Sequence, residues 1–339
     1  SVDNGGLRGL SALLLVDEVM KRMQNLEGLD YTPEPHEYFD LIAGTGTGGI
    51  QACMLGRLRM PLNSAIESYA KLVSGVISDA GLPGYRACEM TELKNSLREI
   101  VRNMTGGAEE PMMEQQSTSR QCKTLVFAMS MNNLHSSVPI LFRSYPATAD
   151  PGPNCAIWES LCATMAHQDL FDNPIKIDEP PLTVSLVNPG HGCNNPLVHV
   201  LTEAKRMYPM SHVASVLSIG AGHTSTIPFL SSPFKLNRYL PMAVIVIIKA
   251  VATDTERMAE DMAECFSSTE GVYFRLNINQ GVQDVRVDGW ERPSEVVAHT
   301  RAYTSLENIN ARLSRSAQAI QARRPAVPMS QIGTTISNL

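Results

Sequence analysis

Twice within its first 57 residues the chain runs from a short apolar stretch through a glycine-rich turn into a helical pattern. Ser1 to Asp3 leads into Asn4-Gly5-Gly6, after which Leu13, Val16, Met20 and Met23 mark one apolar helical face. Phe39-Asp40-Leu41-Ile42-Ala43 leads into Gly44-Thr45-Gly46-Thr47-Gly48-Gly49, and Ile50 to Arg57 begins a second helix. Strands that pass directly into helices are built for crossover connections, so the repeat predicts an α/β fold with a mostly parallel central sheet flanked by helices. Further strands are expected over Thr124 to Met129, Pro139 to Arg143, Leu182 to Val187, Val213 to Ile219 and Val272 to Leu276, with helices around 156–166, 196–207, 253–265 and 303–321. Residues 1–322 read as one domain and 323–339, with Pro325, Pro328 and Gly333, as a loosely held tail. Thr105 to Gln121 reads as a mobile loop able to cover a site.

Composition narrows the function classes. With 43% hydrophobic and 18% charged residues in 339, the chain can bury a large core, which excludes disorder and small disulfide scaffolds. A net charge of −6, with no basic run longer than Arg323-Arg324, leaves no field to hold a phosphate backbone, so no nucleic-acid partner is expected. The seven cysteines show no CxxC pair and no ligand-like histidine spacing, which points to a reducing, cytoplasmic setting without a metal or other cofactor. Met242 to Ile248, the longest apolar run, is less than half of the roughly 18–20 residues a membrane span needs, so only peripheral membrane contact stays open. The chain opens without Met in what reads as mid-strand, so a few residues are expected upstream.

The hexapeptide Gly44 to Gly49 has two readings. As GxGxxG between strand and helix it fits a dinucleotide loop, but the acid that should follow about 20 residues on is Glu67, inside the helical-looking Ser64 to Lys71. The other reading is a nucleophile elbow, a sharp strand-to-helix turn that raises one residue at its apex. That apex here is Gly46.

Asp3-Asn4-Gly5-Gly6-Leu7-Arg8-Gly9 resembles the DGGGxRG turn of the patatin-like phospholipases, and Gly44 to Gly49 resembles their GTSTGG elbow. Asn188-Pro189-Gly190-His191-Gly192-Cys193-Asn194-Asn195-Pro196 is similar to their DGGxxxNNP, whose first residue is the catalytic Asp. The likeness looks nearest to fungal members and runs over most of the chain, through Phe39 to Ile42, Met54 to Arg59, Leu141 to Tyr145, Ser218 to Gly220 and Ala252 to Arg257. It implies a patatin-like fold and, in the family, acyl-ester hydrolysis by a Ser/Asp dyad with the oxyanion held by N–H groups of the first glycine turn.

Both dyad positions depart from that pattern. Gly46 stands at the former nucleophile position and Asn188 at the former Asp position, where an amide is no base. Ala163-Thr-Met-Ala-His-Gln168 replaces the family's ATSAAP beside the active site. The resemblance therefore implies a repurposed protein that binds an apolar, carbonyl-bearing or lipid-like molecule in the old acyl pocket. The expected chemistry is a non-hydrolytic step (cyclisation, dehydration or isomerisation) in fungal secondary metabolism. In that reading His191 and His167 move a proton, with Asn188 beside them and Asp169 nearby, while Gly5, Gly6, Arg8, Gly46, Thr47 and Cys193 contact the ligand. The alternatives are a lipid-binding pseudoenzyme that catalyses nothing and an inactivated variant of a phospholipase A-type acyl hydrolase.

Overall fold

A computed structural model describes residues 1–77, 90–115, 121–136, 138–147, 150–167, 174–179, 182–190, 192–222, 255–278 and 293–336. Its centre is a sheet whose parallel part is built from β1 (Leu41–Thr45), β2 (Lys123–Ser130), β7 (Val216–Ile219) and β8 (Tyr273–Leu276). β1 pairs with β2 and β7 with β8, both in parallel. Val2 joins the two pairs by parallel bridges to Gly44 and Ile219, so Ser1 to Asp3 is the strand between β1 and β7. Beyond β2 the sheet turns antiparallel through β3 (Ile140–Arg143), β5 (Leu182–Val187) and β4 (Ile175–Glu179).

Alternation along the buried strands sorts their side chains onto two faces. Ile42, Val126 and Ala128 join one apolar cluster with the helices Gly9–Glu27 and Ile157–Met165, whereas Ala43, Leu125 and Phe127 join a second with Leu197–Met207 and Glu256–Cys265. Burial on both faces explains why β2 reads as a continuous apolar run instead of an alternating one. Helix Gly9–Glu27 buries Leu13, Val16, Met20 and Met23, the predicted stripe, and ends at left-handed Gly28, where φ is 66° and no Cβ is present to object. Phe127 is wholly enclosed, and truncating such a ring to Ala typically costs ~3–5 kcal/mol.

Three expectations need correction. The strand predicted over Val213 to Ile219 breaks at Ala214–Ser215 into β6 (His212–Val213) and β7. β6 pairs with β9 (Val327–Pro328), which belongs to the supposedly loose tail; Val327, Met329 and Ile332 are buried, so apolar side chains dock it despite its prolines. The described part of the supposed mobile loop is also pinned. Arg57 donates to the carbonyls of Met112 (3.0 Å) and Pro111 (2.8 Å), Met112 is buried, and Pro111 bridges Ala156; residues 116–120 lie outside the described residues. The strand Ile175–Glu179 and the helix Met90–Thr105, which buries only Leu93, Leu97 and Val101, escape the sequence reading altogether.

Candidate functional site at the glycine elbow

β1 ends at Thr45 and the helix Thr47–Ala52 begins two residues later, which leaves Gly46 alone to reverse the chain. It does so at φ 56° and ψ −127°, a conformation that costs a residue with a side chain on the order of 1–3 kcal/mol. Gly48 is required for a different reason: a Cβ there would lie 2.5 Å from the carbonyl oxygens of Val2 and Asp3. The elbow is thus clamped against the first strand and its turn.

Polar contacts knit the two turns together. The N–H groups of Gly5 and Gly6 both donate to Thr47 Oγ1, each at 3.0 Å. Thr47 Oγ1 in turn donates to Asn4 Oδ1 at 3.3 Å, and the Thr47 N–H reaches the same oxygen at 3.2 Å. A hydroxyl has one proton and two lone pairs, and all three are used here. Tyr69 donates to the Gly6 carbonyl at 2.5 Å and Gln51 to the Gly9 carbonyl at 2.8 Å, fixing the turn from below.

Thr164 connects the elbow to β5. Its Oγ1 accepts from the Gly46 N–H at 2.8 Å, and its carbonyl accepts from Asn188 Nδ2 at 2.6 Å. The Asn188 Oδ1 accepts from the Gly190 N–H at 2.8 Å, so both ends of this buried amide are engaged within its own loop and the adjoining helix.

The remaining sequence candidates distribute as follows. Arg8 closes the Gly6–Arg8 turn and is buried, which pulls its guanidinium below its ordinary value. Cys193 lies in the apolar cluster with Phe127 and Leu197; burial first, and the nearby Asp3 charge second, push its thiol well up, so it is no thiolate. His167 sits just past the helix Ile157–Met165, partly buried, its N–H donating to the Met165 carbonyl at 2.6 Å. His191 and Asp169 lie outside the described residues. Among the described residues no group of three or more His, Cys, Asp or Glu side chains is placed to hold a metal. No helix among them is long and apolar enough to cross a membrane.

Asn4, Thr164, Gln51 and Tyr69 shape the site without having been singled out. Only Asn4 left a visible signal, since it stands where DGGGxRG has its first glycine. Asp3, the first residue of that motif, points away from the turn into a buried ion pair with Arg275 at 2.7 Å, and Arg275 also contacts Glu256 at 2.5 Å. The structure also has a cavity of about 480 Å³, but at the opposite end of the sheet, lined by Leu41, Ile42, Val216 and Leu217 in line with Ser1 and Val2. None of its lining residues belongs to the elbow or to the loop 188–195.

A mixed α/β sheet with helices on both faces and a glycine elbow at the end of β1 defines the class of scaffold. Similarity refines it. The chain is 27% identical over 290 residues to the calcium-independent phospholipase A2-gamma of Mus musculus, covering 82% of this chain and 34% of that protein. It is 26% identical over 276 residues to the Homo sapiens protein of the same name, covering 76% and 32%. It is 25% identical over 300 residues to the probable inactive patatin-like protein 9 of Arabidopsis thaliana, covering 82% and 74%. The chain therefore spans about a third of the length of the two phospholipases and about three quarters of the plant protein. No protein-family model matches it. The chain is thus similar both to proteins named as phospholipases and to a patatin-like protein named as probably inactive.

Proposed function

We propose that this chain is a patatin-like protein that has lost both residues of the hydrolytic dyad and binds acyl-chain lipid without turning it over. One observation carries the reading: Gly46 offers no nucleophile at the elbow, and the two N–H groups that would hold an oxyanion end on Thr47 Oγ1. The relatives named as phospholipases supply the ligand class, and the plant relative named as probably inactive is a precedent for the loss. A cytoplasmic location fits the six described cysteines, all free thiols.

The non-hydrolytic catalytic reading draws less support. It needs the Gly5 and Gly6 donors open to a substrate carbonyl, and both are occupied. The Asn188 amide expected beside its proton-moving histidines is held by Thr164 and Gly190.

The test is to incubate the protein with p-nitrophenyl butyrate and with phosphatidylcholine vesicles. We expect no ester hydrolysis above buffer and co-sedimentation of the protein with the vesicles. Turnover that disappears in Thr47→Val would overturn the reading and make Thr47 a substitute nucleophile.

A further inference from the structure

A Cβ built on Gly46 would lie 2.3 Å from Asn4 Oδ1, 2.4 Å from Asn4 Cγ and 3.0 Å from Asn4 Cβ. The space a side chain at the elbow apex needs is therefore already filled, and by one residue. The Asn4 carboxamide cannot swing aside without cost, because its Oδ1 accepts from both the N–H and the hydroxyl of Thr47. Nor can the backbone simply retreat. The Asn4 N–H donates to the Asn194 carbonyl at 3.2 Å, and Gly5 is packed so closely that a Cβ on it would lie 1.9 Å from Ala221 Cβ.

We propose that Asn4 is the residue that closes the site, by two linked actions. Its carboxamide opposes any side chain at position 46, and by accepting the hydrogen bond of the Thr47 hydroxyl it turns the Thr47 lone pairs onto the Gly5 and Gly6 N–H groups. A side chain at 46 and the Asn4 carboxamide compete for the same space, so restoring the apex alone re-arms the elbow poorly. The inference deepens the inactive reading proposed above and names the residue that enforces it.

A stability cycle tests the exclusion without any catalysis. Gly46→Ala is made in the natural chain and in an Asn4→Gly chain, and Tm is measured for all four proteins. The strain of a Cβ at φ 56° is common to both backgrounds and cancels, leaving the clash with Asn4 as the coupling. The Tm drop should be several degrees larger with Asn4 present. Equal drops in the two backgrounds overturn the proposal.

Reactivity supplies the second arm, with a fluorophosphonate probe applied to G46S/N188D and to N4G/G46S/N188D. In a reactive elbow the introduced hydroxyl attacks phosphorus, an O–P bond forms as the P–F bond breaks, fluoride leaves and the proton passes to the introduced carboxylate. The triple variant should label at least tenfold faster than the double. Equal labelling of the two removes Asn4 from the closure. Hydrolysis of esters by the natural chain would instead sink the inactive reading while leaving the Tm cycle to stand or fall by itself.

Discussion

The elbow and the Arg143–Glu203 pair are both buried polar clusters against the same sheet, but they are made of opposite materials. At the elbow Asn4, Thr47, Thr164 and Asn188 satisfy one another and the backbone with neutral groups. At the other cluster Arg143 from β3 meets Glu203 at 2.6 Å, Tyr145 donates to the same carboxylate at 3.0 Å, and the Arg143 Nη1 donates to the Asp150 carbonyl at 2.6 Å. Burial alone would raise the Glu203 carboxyl; the hydrogen bonds from Arg143 and Tyr145 outweigh it and hold the group below its usual range. Losing one member of a neutral network leaves unsatisfied dipoles, whereas losing one partner of a buried ion pair leaves an uncompensated charge with the larger desolvation penalty. The comparison teaches where losing a single partner is most damaging: at the buried ion pair, more than in the turn that resembles an active site.

The largest expected effect follows from that asymmetry. Arg143→Met leaves the buried Glu203 carboxylate with only the exposed Arg206, 3.5 Å away, as a cationic partner and should lose up to ~3–5 kcal/mol, read by urea denaturation. Adding Glu203→Leu should recover much of the loss, because the uncompensated charge goes with it. A loss below that of the elbow variants would break the comparison. Next comes Thr47→Val, which keeps the side-chain shape and removes the acceptor of the Gly5 and Gly6 N–H groups. The two donors share this one acceptor, and the isosteric methyl leaves no room for a water in its place, so the expected loss is about 2 kcal/mol. Thr47→Ser keeps the hydroxyl and should lose clearly less in the same titration.

Much of this contrast was legible in the sequence, though unevenly. The two strand–turn–helix units and the buried character of β1 and β2 follow from glycine placement and apolar runs, which are local signals, whereas which side chain takes which face appears only in the fold. The apex at Gly46 and the placing of Asn188 near it follow from the family motifs, whereas the Thr164 bridge between them is seen only in the fold. What stayed hidden depends on contacts distant in sequence. Thr47 reaches Gly5 and Gly6 across about 40 residues, Arg143 reaches Glu203 across 60, and the tail finds β6 through apolar side chains that a proline-rich composition conceals. Asn4 was visible as a departure from the glycine motif, but its meaning lies in a distance to Gly46 that only the fold supplies.

A last effect tests the neutral elbow against titrating neighbours by pH. Asp3, in the ionic set with Arg275 and Glu256, has its carboxyl raised by burial, against the opposing pull of Arg275, from 3.8 to about 6. The folded state then holds a proton that the unfolded chain releases, so Asp3 adds stability below about pH 4 that is lost as pH rises through 6. His199, packed near the Phe127 ring, has its pKa lowered by burial from 6.5 to about 4. There the unfolded chain takes the proton and the folded one does not, so its contribution is present above 6.5 and is lost as pH falls toward 4. The two oppose each other over nearly the same window, each by at most about 1.4 kcal/mol per pH unit. Urea midpoints measured from pH 6.5 to 4 therefore report each group as the difference between the natural chain and the variant that lacks it. Asp3→Asn should unmask a fall in stability on acidification, and His199→Leu a rise. Thr47→Val should only lower the whole curve, since it removes no titrating group; a changed slope in that variant would mean that the elbow is electrostatically tied to the ionic set after all.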